Sequence, residues 1–233
     1  MNTNGELKNT ARLAGLLFLL WIVSGFYDMF FVSPKLFVKG DIPASAQNIL
    51  THEFLFRTSI FSGLITSTLW VILVLVFYHL FRSVNERYAR LLVAFVVVQI
   101  PSTFIKAGLS IAAILTLKGE ILKSFQSTQR QDLAMSFLKI NDYSVLALEL
   151  FWGLWLFPLA ILVYQSGFIP RFLGVWLIIN GIVYVLLSVT SIVLPEYKDS
   201  VFTFGMPAMF GELVLMLWLL IKGVRGKEIV TST

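Results

Sequence analysis

Long apolar segments alternate with shorter polar ones along the whole chain. A helix needs about 20 mostly apolar residues to cross a membrane, and six segments are long enough. The predicted spans cover residues 11–32, 54–81, 89–117, 143–164, 171–194 and 202–221. The pattern therefore predicts an all-α, polytopic membrane protein, with residues 1–233 forming one bundle of six transmembrane helices. Because the first span is long and lacks a small-residue cleavage pattern, we expect a retained helix rather than a signal peptide.

Two further patterns refine this prediction. Leu133, Phe137 and Ile140 recur at helical spacing within the longest polar segment, residues 118–141, which predicts a short helix lying in the membrane interface. Proline interrupts the spans at several points, because it cannot donate a backbone hydrogen bond and clashes with the carbonyl four residues earlier. We therefore expect bends at Pro101 and Pro207.

The composition agrees with a membrane protein and excludes several functions. Of 233 residues, 58% are hydrophobic and 13% charged, whereas soluble domains are about a quarter charged. The absence of cysteine excludes disulfides and thiolate sites. The only histidines, His52 and His79, stand about 40 Å apart on one predicted helix, so they cannot share a haem. No nucleotide-binding or serine hydrolase motif occurs. We expect no cofactor.

Basic residues set the predicted orientation. Nine of them lie in short segments on one side of the predicted bundle: Lys8, Arg12, Arg82, Arg87, Arg90, Arg171, Lys222, Arg225 and Lys227. The other side holds seven, spread over longer loops. The positive-inside rule then places both termini in the cytoplasm. The net charge is +5, and the basic residues that produce it flank apolar spans. Membrane lipid is therefore the expected partner, and nucleic acid is not.

Five ionisable residues lie inside predicted spans, where each costs about 2.5 kcal/mol or more near the bilayer centre unless paired or hydrated. They are Asp28, Arg57, Lys106, Glu149 and Glu212. All five are predicted at the midplane or in the outer half of the membrane. Asp142 lies seven residues before Glu149, on nearly the same helix face. Together these six residues predict an outward-opening polar core.

This polar core predicts the binding or translocation of a small solute or ion. Glu149 and Glu212 would bind cations or protons, and Lys106 or Arg57 would hold an anionic group. In an alternative interpretation, the protein is an accessory or structural subunit in which pairs such as Lys106 with Glu212, or Arg57 with Asp28, fix the helices. A third hypothesis is an intramembrane enzyme acting on a lipid-like substrate, with no assignable catalytic residue. The spacing of the histidines and carboxylates does not favour a metal site.

One internal similarity indicates a possible repeat. Residues 12–15 (RLAG), at the start of the first span, resemble residues 171–174 (RFLG), at the start of the fifth. Repeats of this kind occur in transporters.

Several short segments together resemble a known family. They are ARLAGLL (residues 11–17), LFR (55–57), NDY (141–143), SGFIPRFLGV (166–175) and GEL (211–213). The chain resembles, over about residues 8–224, a bacterial membrane family known as domain of unknown function 4386. The resemblance implies a six-helix inner-membrane protein with Arg57, Asp142 and Glu212 at family-like positions. It implies no reaction, and Lys106 and Glu149 match none of its motifs.

Overall fold

The computed structural model describes residues 4–224, so Arg225 and Lys227 of the basic set lie outside the described residues. This part of the chain is helical and contains no strand. Its α-helices are α1 (Asn4–Tyr27), α2 (Ser33–Leu36), α3 (Ile42–Thr51), α4 (Glu53–Val97), α5 (Ile100–Leu117), α6 (Ser127–Leu154), α7 (Leu156–Ser166), α8 (Arg171–Val193) and α9 (Lys198–Ile221). A π-helical turn (Asp28–Val32) follows α1, and a 3-10 turn (Pro195–Tyr197) precedes α9. The all-helical prediction is confirmed.

Within the described residues, five helical segments are long and apolar enough to cross a membrane: Gly5–Leu36, Glu53–Leu117, Ser127–Ser166, Arg171–Val193 and Pro195–Ile221. The second segment is 65 residues long and contains both predicted spans 54–81 and 89–117. Asn85 divides it, because its backbone is extended (φ −160°, ψ 100°) inside α4. The short basic turn predicted between these two spans therefore forms as a sharp kink within helical structure.

Proline divides two of the predicted spans. Helix α4 ends at Val97, four residues before Pro101, and α6 ends at Leu154, four residues before Pro158. In both cases the helix ends at the residue whose carbonyl would clash with the proline ring. Proline also has no backbone N–H to donate to that carbonyl. Helix α9, in contrast, continues through Pro207 without interruption. The bend expected at Pro101 is thus a break between two helices.

The prediction of a separate interfacial helix around residues 133–140 is wrong. These residues are the first half of α6, which continues directly into the predicted fourth span. The physical reason is that neither proline nor glycine occurs in α6 before Gly153, so nothing ends the helix at the polar boundary.

The loop before the second predicted span also contains a helix, α3. Asp41 caps this helix by accepting a hydrogen bond from the amide of Ala44 at 2.8 Å.

The described chain forms two compact units. The first contains residues 4–20, 69–98 and 146–224, and the second contains Trp21–Thr68 and Gln99–Val145. An aromatic cluster lies at the centre of the first unit. Phe18 meets Phe77 and Trp155 edge-on, with ring centroids 6.1 and 6.4 Å apart. Phe81 stacks on Phe168 at 6.0 Å, next to the turn between α7 and α8.

Glycine brings helices of the first unit into close contact. A Cβ on Gly153 of α6 would stand 2.6 Å from the carbonyl oxygen of Gly181 on α8. A Cβ on Gly174 of α8 would stand 2.8 Å from the carbonyl oxygen of Ala160 on α7. No side chain fits at either position, so these helices pack backbone against backbone, as small residues allow in membrane proteins.

The second unit has its own apolar core. Side chains from the end of the π-helical turn, α2, α3 and α4 pack with others from α5 and α6: Val32, Leu36, Ala46, Ile49, Phe56, Ala113, Ile114, Leu117, Ala134 and Leu138. Hydroxyl groups join its helices as well. Thr66 Oγ1 donates to Ser24 Oγ at 2.9 Å, and the hydroxyls of Ser67 and Thr103 are 2.7 Å apart.

Candidate functional site

Helix α8 carries a stripe of polar side chains through the first unit. The stripe consists of Asn180, Tyr184, Ser188 and Ser191, and we call it the α8 stripe. Spacings of four, four and three residues keep side chains on one helix face. Among the neighbours of this face are α6 and α9, which carry Glu149 and Glu212 respectively. The α8 stripe therefore brings two predicted site residues to one helix.

Glu212 is held by the first residue of the α8 stripe. Asn180 Nδ2 donates a hydrogen bond to Glu212 Oε1 at 3.0 Å. Asn180 is fully buried, and its Oδ1 atom has no hydrogen-bond partner within the described chain. An unsatisfied acceptor is costly inside a protein. The pair thus leaves one buried oxygen, next to a carboxylate, available for a donor or a cation.

Glu149 is held at the other end of the α8 stripe. Ser191 Oγ donates to Glu149 Oε2 at 2.9 Å, and the Glu149 residue is only 9% exposed. Ser188 Oγ donates to the backbone carbonyl of Leu146 at 3.1 Å, which adds a second contact between α6 and α8. The position of Glu149 is thus fixed by two hydrogen bonds between the same helices.

Tyr184 connects the two ends of the α8 stripe. Its ring packs edge-on against Trp152 at 5.9 Å, and its phenol group lies in the electrostatic field of both Glu149 and Glu212. Asn180 and Ser191 are eleven residues apart, or about 16 Å along the helix axis. One small ion could not contact both anchoring positions at once, and Tyr184 lies between them along the helix.

Neither Glu149 nor Glu212, the two carboxylates beside the α8 stripe, forms a salt bridge with any described residue. Their hydrogen-bond partners are the neutral side chains of Asn180 and Ser191. A charged side chain costs about 2.5–3.5 kcal/mol at the centre of a membrane helix. Neutralisation by a proton or a bound cation would remove that cost. Among residues 4–224, no group of three or more His, Cys, Asp or Glu side chains could hold a metal ion.

The other predicted site residues lie in the second unit. Asp28, the first residue of the π-helical turn, contacts the hydroxyl of Ser59 and lies in the field of Lys106. Beside them, Asn141 Nδ2 donates to the Lys106 carbonyl at 3.3 Å and to Ser110 Oγ at 3.1 Å. Asp28 and Lys106 are therefore neighbours of opposite charge, unlike Glu149 and Glu212.

Arg57 and Asp142 have no comparable surroundings. Arg57 Nε donates to Glu53 Oε1 at 2.8 Å, one turn earlier on α4, so its partner is Glu53 rather than Asp28. Glu53 also accepts from Lys118 Nζ at 3.3 Å. The side chain of Arg57 is 45% exposed, and Asp142 is exposed. These contacts resemble ordinary surface ion pairs, which contribute little to stability.

None of the four residues of the α8 stripe is among the predicted site residues. Tyr184 and Ser191 are ordinary residues of an apolar span when taken singly. Their spacing from Asn180, by four and eleven residues, is the signal in the sequence that identifies a polar face. The polar face of α8 becomes visible in the sequence when these residues are placed on a helix that packs against two neighbouring helices.

These features define an all-helical protein whose helices are suited to a membrane and whose buried carboxylates lack basic partners. Residues 13–223 match the family described as domain of unknown function DUF4386, and the chain belongs to that family. It is also 35% identical over 99 residues to an uncharacterized protein of Archaeoglobus fulgidus, covering 40% of this chain and 58% of the relative. The chain thus spans less than two thirds of that curated relative. No solved structure matches it.

Proposed function

We propose that this protein is a six-span protein of the inner membrane that binds a small cation along the α8 stripe. The observation that carries the proposal is that Glu149 and Glu212 lie among apolar helices with neutral partners only. Charged residues inside membrane spans commonly mark ion or proton pathways. Sodium ions and protons are small cations of this kind.

The chemistry of the α8 stripe fits a hard cation. Carboxylate, amide and hydroxyl oxygens are the ligands that such ions prefer. At one end, Glu212 and the unpartnered Oδ1 of Asn180 supply two of them. At the other end, Glu149 and Ser191 supply a carboxylate and a hydroxyl. The two sets of oxygens could serve as successive positions for a cation or proton, with Tyr184 between them.

The structural alternative is supported by a specific observation. Gly153 and Gly181 let α6 and α8 touch through their backbones, next to the hydrogen bonds of Ser188 and Ser191. Polar contacts between membrane helices can act simply to hold the helices together. If Glu149 and Glu212 had only this role, neutral glutamine would weaken the fold and no cation would affect it.

Thermal stability of the purified protein separates these two functions. We would measure the melting temperature in detergent as sodium replaces a bulky organic cation at constant ionic strength, and again in a series of buffers of different pH. Cation binding predicts a sodium-dependent rise in wild type that Glu212→Gln and Glu149→Gln abolish while remaining folded. Glu196→Gln is the matched control, because Glu196 is exposed beyond α8. A flat response of wild type to both sodium and pH would refute the proposal.

The predicted orientation has its own test, because the chain contains no cysteine. Single cysteines can replace Ser83, beside the kink of α4, and Ser127, at the start of α6; both serines are exposed. With both termini in the cytoplasm, a membrane-impermeant maleimide applied to intact cells should label Ser127→Cys and spare Ser83→Cys. The reverse labelling would overturn the orientation.

A further inference from the structure

A small groove lies beside the kink of α4, within the first unit. Leu75 and Tyr78 line it from the helix arm before the kink, and Arg90 and Val93 line it from the arm after the kink. Its volume is about 200 Å³. Apart from the Tyr78 hydroxyl and the Arg90 guanidinium, its lining is hydrocarbon. We call it the elbow groove.

The rim of the elbow groove is positively charged. Glu86 accepts hydrogen bonds from Arg90 Nη2 at 2.7 Å and from the Tyr78 hydroxyl at 3.3 Å, so Arg90 is held at the rim and neutralised. Arg82 and Arg87 are exposed on the same elbow and form no salt bridge with a described residue. The elbow therefore carries three arginines against one glutamate.

An apolar groove on an elbow with an excess of arginines has the pattern of a lipid site. Basic clusters at the cytoplasmic end of membrane helices attract anionic headgroups, and each basic residue near the surface contributes about fivefold in affinity. Tyrosine is enriched at the same depth, because its ring is apolar and its hydroxyl is polar. A fatty acyl chain is the apolar group that the membrane supplies at such a groove.

We propose that the elbow groove binds an anionic phospholipid, with one acyl chain against Leu75 and Val93 and the phosphate at Arg82 and Arg87. The kink is held in place independently of the lipid, because Asn85 Nδ2 donates to Gln165 Oε1 of α7 at 3.3 Å. The lipid would therefore occupy a preformed elbow. This site is separate from the α8 stripe and does not depend on cation binding.

The test compares phosphatidylglycerol with phosphatidylcholine, titrated into the detergent-solubilised full-length protein. Native mass spectrometry counts bound lipids, and the melting temperature reports their effect. We expect preferential retention of phosphatidylglycerol, weakened about 30-fold in the double variant Arg82→Gln/Arg87→Gln. The Glu86–Arg90 pair stays intact in this variant. The matched control is Lys35→Gln/Lys39→Gln, which removes the same charge from the loop after the first span and should bind as wild type does.

A second variant tests the acyl chain. Val93→Trp fills the groove while leaving all the arginines in place, and it should also weaken phosphatidylglycerol binding. Inorganic phosphate, which has no acyl chain, should not compete at millimolar concentration. Equal binding of the two lipids, or equal losses in the arginine and lysine variants, would overturn the proposal. So would full binding by a folded Val93→Trp protein, or effective competition by phosphate.

Discussion

Replacing Gly153 by alanine should separate α6 from α8 and disturb the site at Glu149. The new Cβ would lie 2.6 Å from the carbonyl oxygen of Gly181, 2.7 Å from Val185 Cγ2 and 3.0 Å from the Val185 amide nitrogen. Two of these three atoms belong to the backbone of α8, which cannot rotate away as a side chain can. The helices must therefore move apart.

The destabilisation has two sources, overpacking and weakened hydrogen bonds between the helices. Overpacking of this kind costs about 1–3 kcal/mol. Ser188 and Ser191 make the two hydrogen bonds between α6 and α8, and such bonds contribute about 0.6 kcal/mol each in membranes. We expect Gly153→Ala to lower the free energy of unfolding by roughly 3 kcal/mol, which for a chain of this size is about 6–12 °C in melting temperature.

The assay is thermal unfolding of the purified protein, followed by circular dichroism, with two companion variants. A Cβ on Gly63 of α4 would meet nothing within 4 Å, so Gly63→Ala should melt at or above the wild-type temperature. At Gly181 the nearest atoms are 3.1 Å away, and one is a Phe157 ring carbon that can shift, so Gly181→Ala should be intermediate. If Gly153→Ala and Gly63→Ala melt together, the close helix contact is refuted.

Two further predictions concern the second unit. Asn141→Ala removes hydrogen bonds to Ser110 and to the Lys106 carbonyl, so it should cost about 1 kcal/mol, or roughly 2–4 °C by the same unfolding assay; an unchanged melting temperature would contradict these contacts. Hydrogen bonds to Glu120 and Glu53 raise the pKa of Lys118 above 10.5. The stabilisation that comes with this raised pKa is present below the ordinary pKa of lysine and is lost as pH rises past the raised one. Between neutral pH and a pH above 10.5, Lys118→Gln should therefore lose slightly less stability than wild type does.

The sequence predicts which segments are helical far better than where they break. Hydropathy identifies the long helices. Proline explains the breaks at Val97 and Leu154, but the sequence analysis predicts bends at Pro101 and Pro207, and α9 continues through Pro207 without interruption. The polar segment between the predicted spans 54–81 and 89–117 indicates an interruption near Asn85, but it does not indicate an extended residue there, because asparagine is tolerated within helices. Its extended backbone depends on tertiary contacts, including the hydrogen bond to Gln165, eighty residues away. Contacts at that separation leave no periodic pattern in a single sequence.

Charge in an apolar span is visible in the sequence, but the partner of each charge is not. Glu149 and Glu212 are conspicuous, and so is Lys106. Which helices carry their partners depends on how the helices are arranged, so the same five charges allowed several pairings. Arg57 illustrates the difficulty, since a partner four residues earlier on its own helix is as available as any residue on another helix.

Residues 12–15 and residues 171–174 each lie where two helices of the first unit cross in close contact. We call each of these crossings a corner. Helix α7 ends at Gly167 (φ +70°), and α8 then crosses it with Gly174 against the carbonyl of Ala160. Helix α9 ends before Gly223 (φ +67°), and α1 crosses it with Gly15 against the backbone of Leu220. The first corner is joined by a short turn, whereas the second forms between α9 and α1, at opposite ends of the described chain.

Both corners require the same residues for the same reasons. A left-handed glycine follows the end of one helix, and a glycine in the helix that crosses it lets the backbones touch. This second glycine is Gly174, one turn into α8, in the first corner and Gly15, well inside α1, in the second. The arginine three residues before that glycine packs at the crossing. Arg171, the first residue of α8, lies over the ring of Tyr164 at 5.4 Å, and the side chain of Arg12, from within α1, lies beside Gly223. Packing at a corner is thus sufficient to explain the similarity without a duplicated pair of spans. It also places Arg171 at the start of α8 and Arg12 beside the end of α9, and both belong to the basic set on which the proposed cytoplasmic orientation rests.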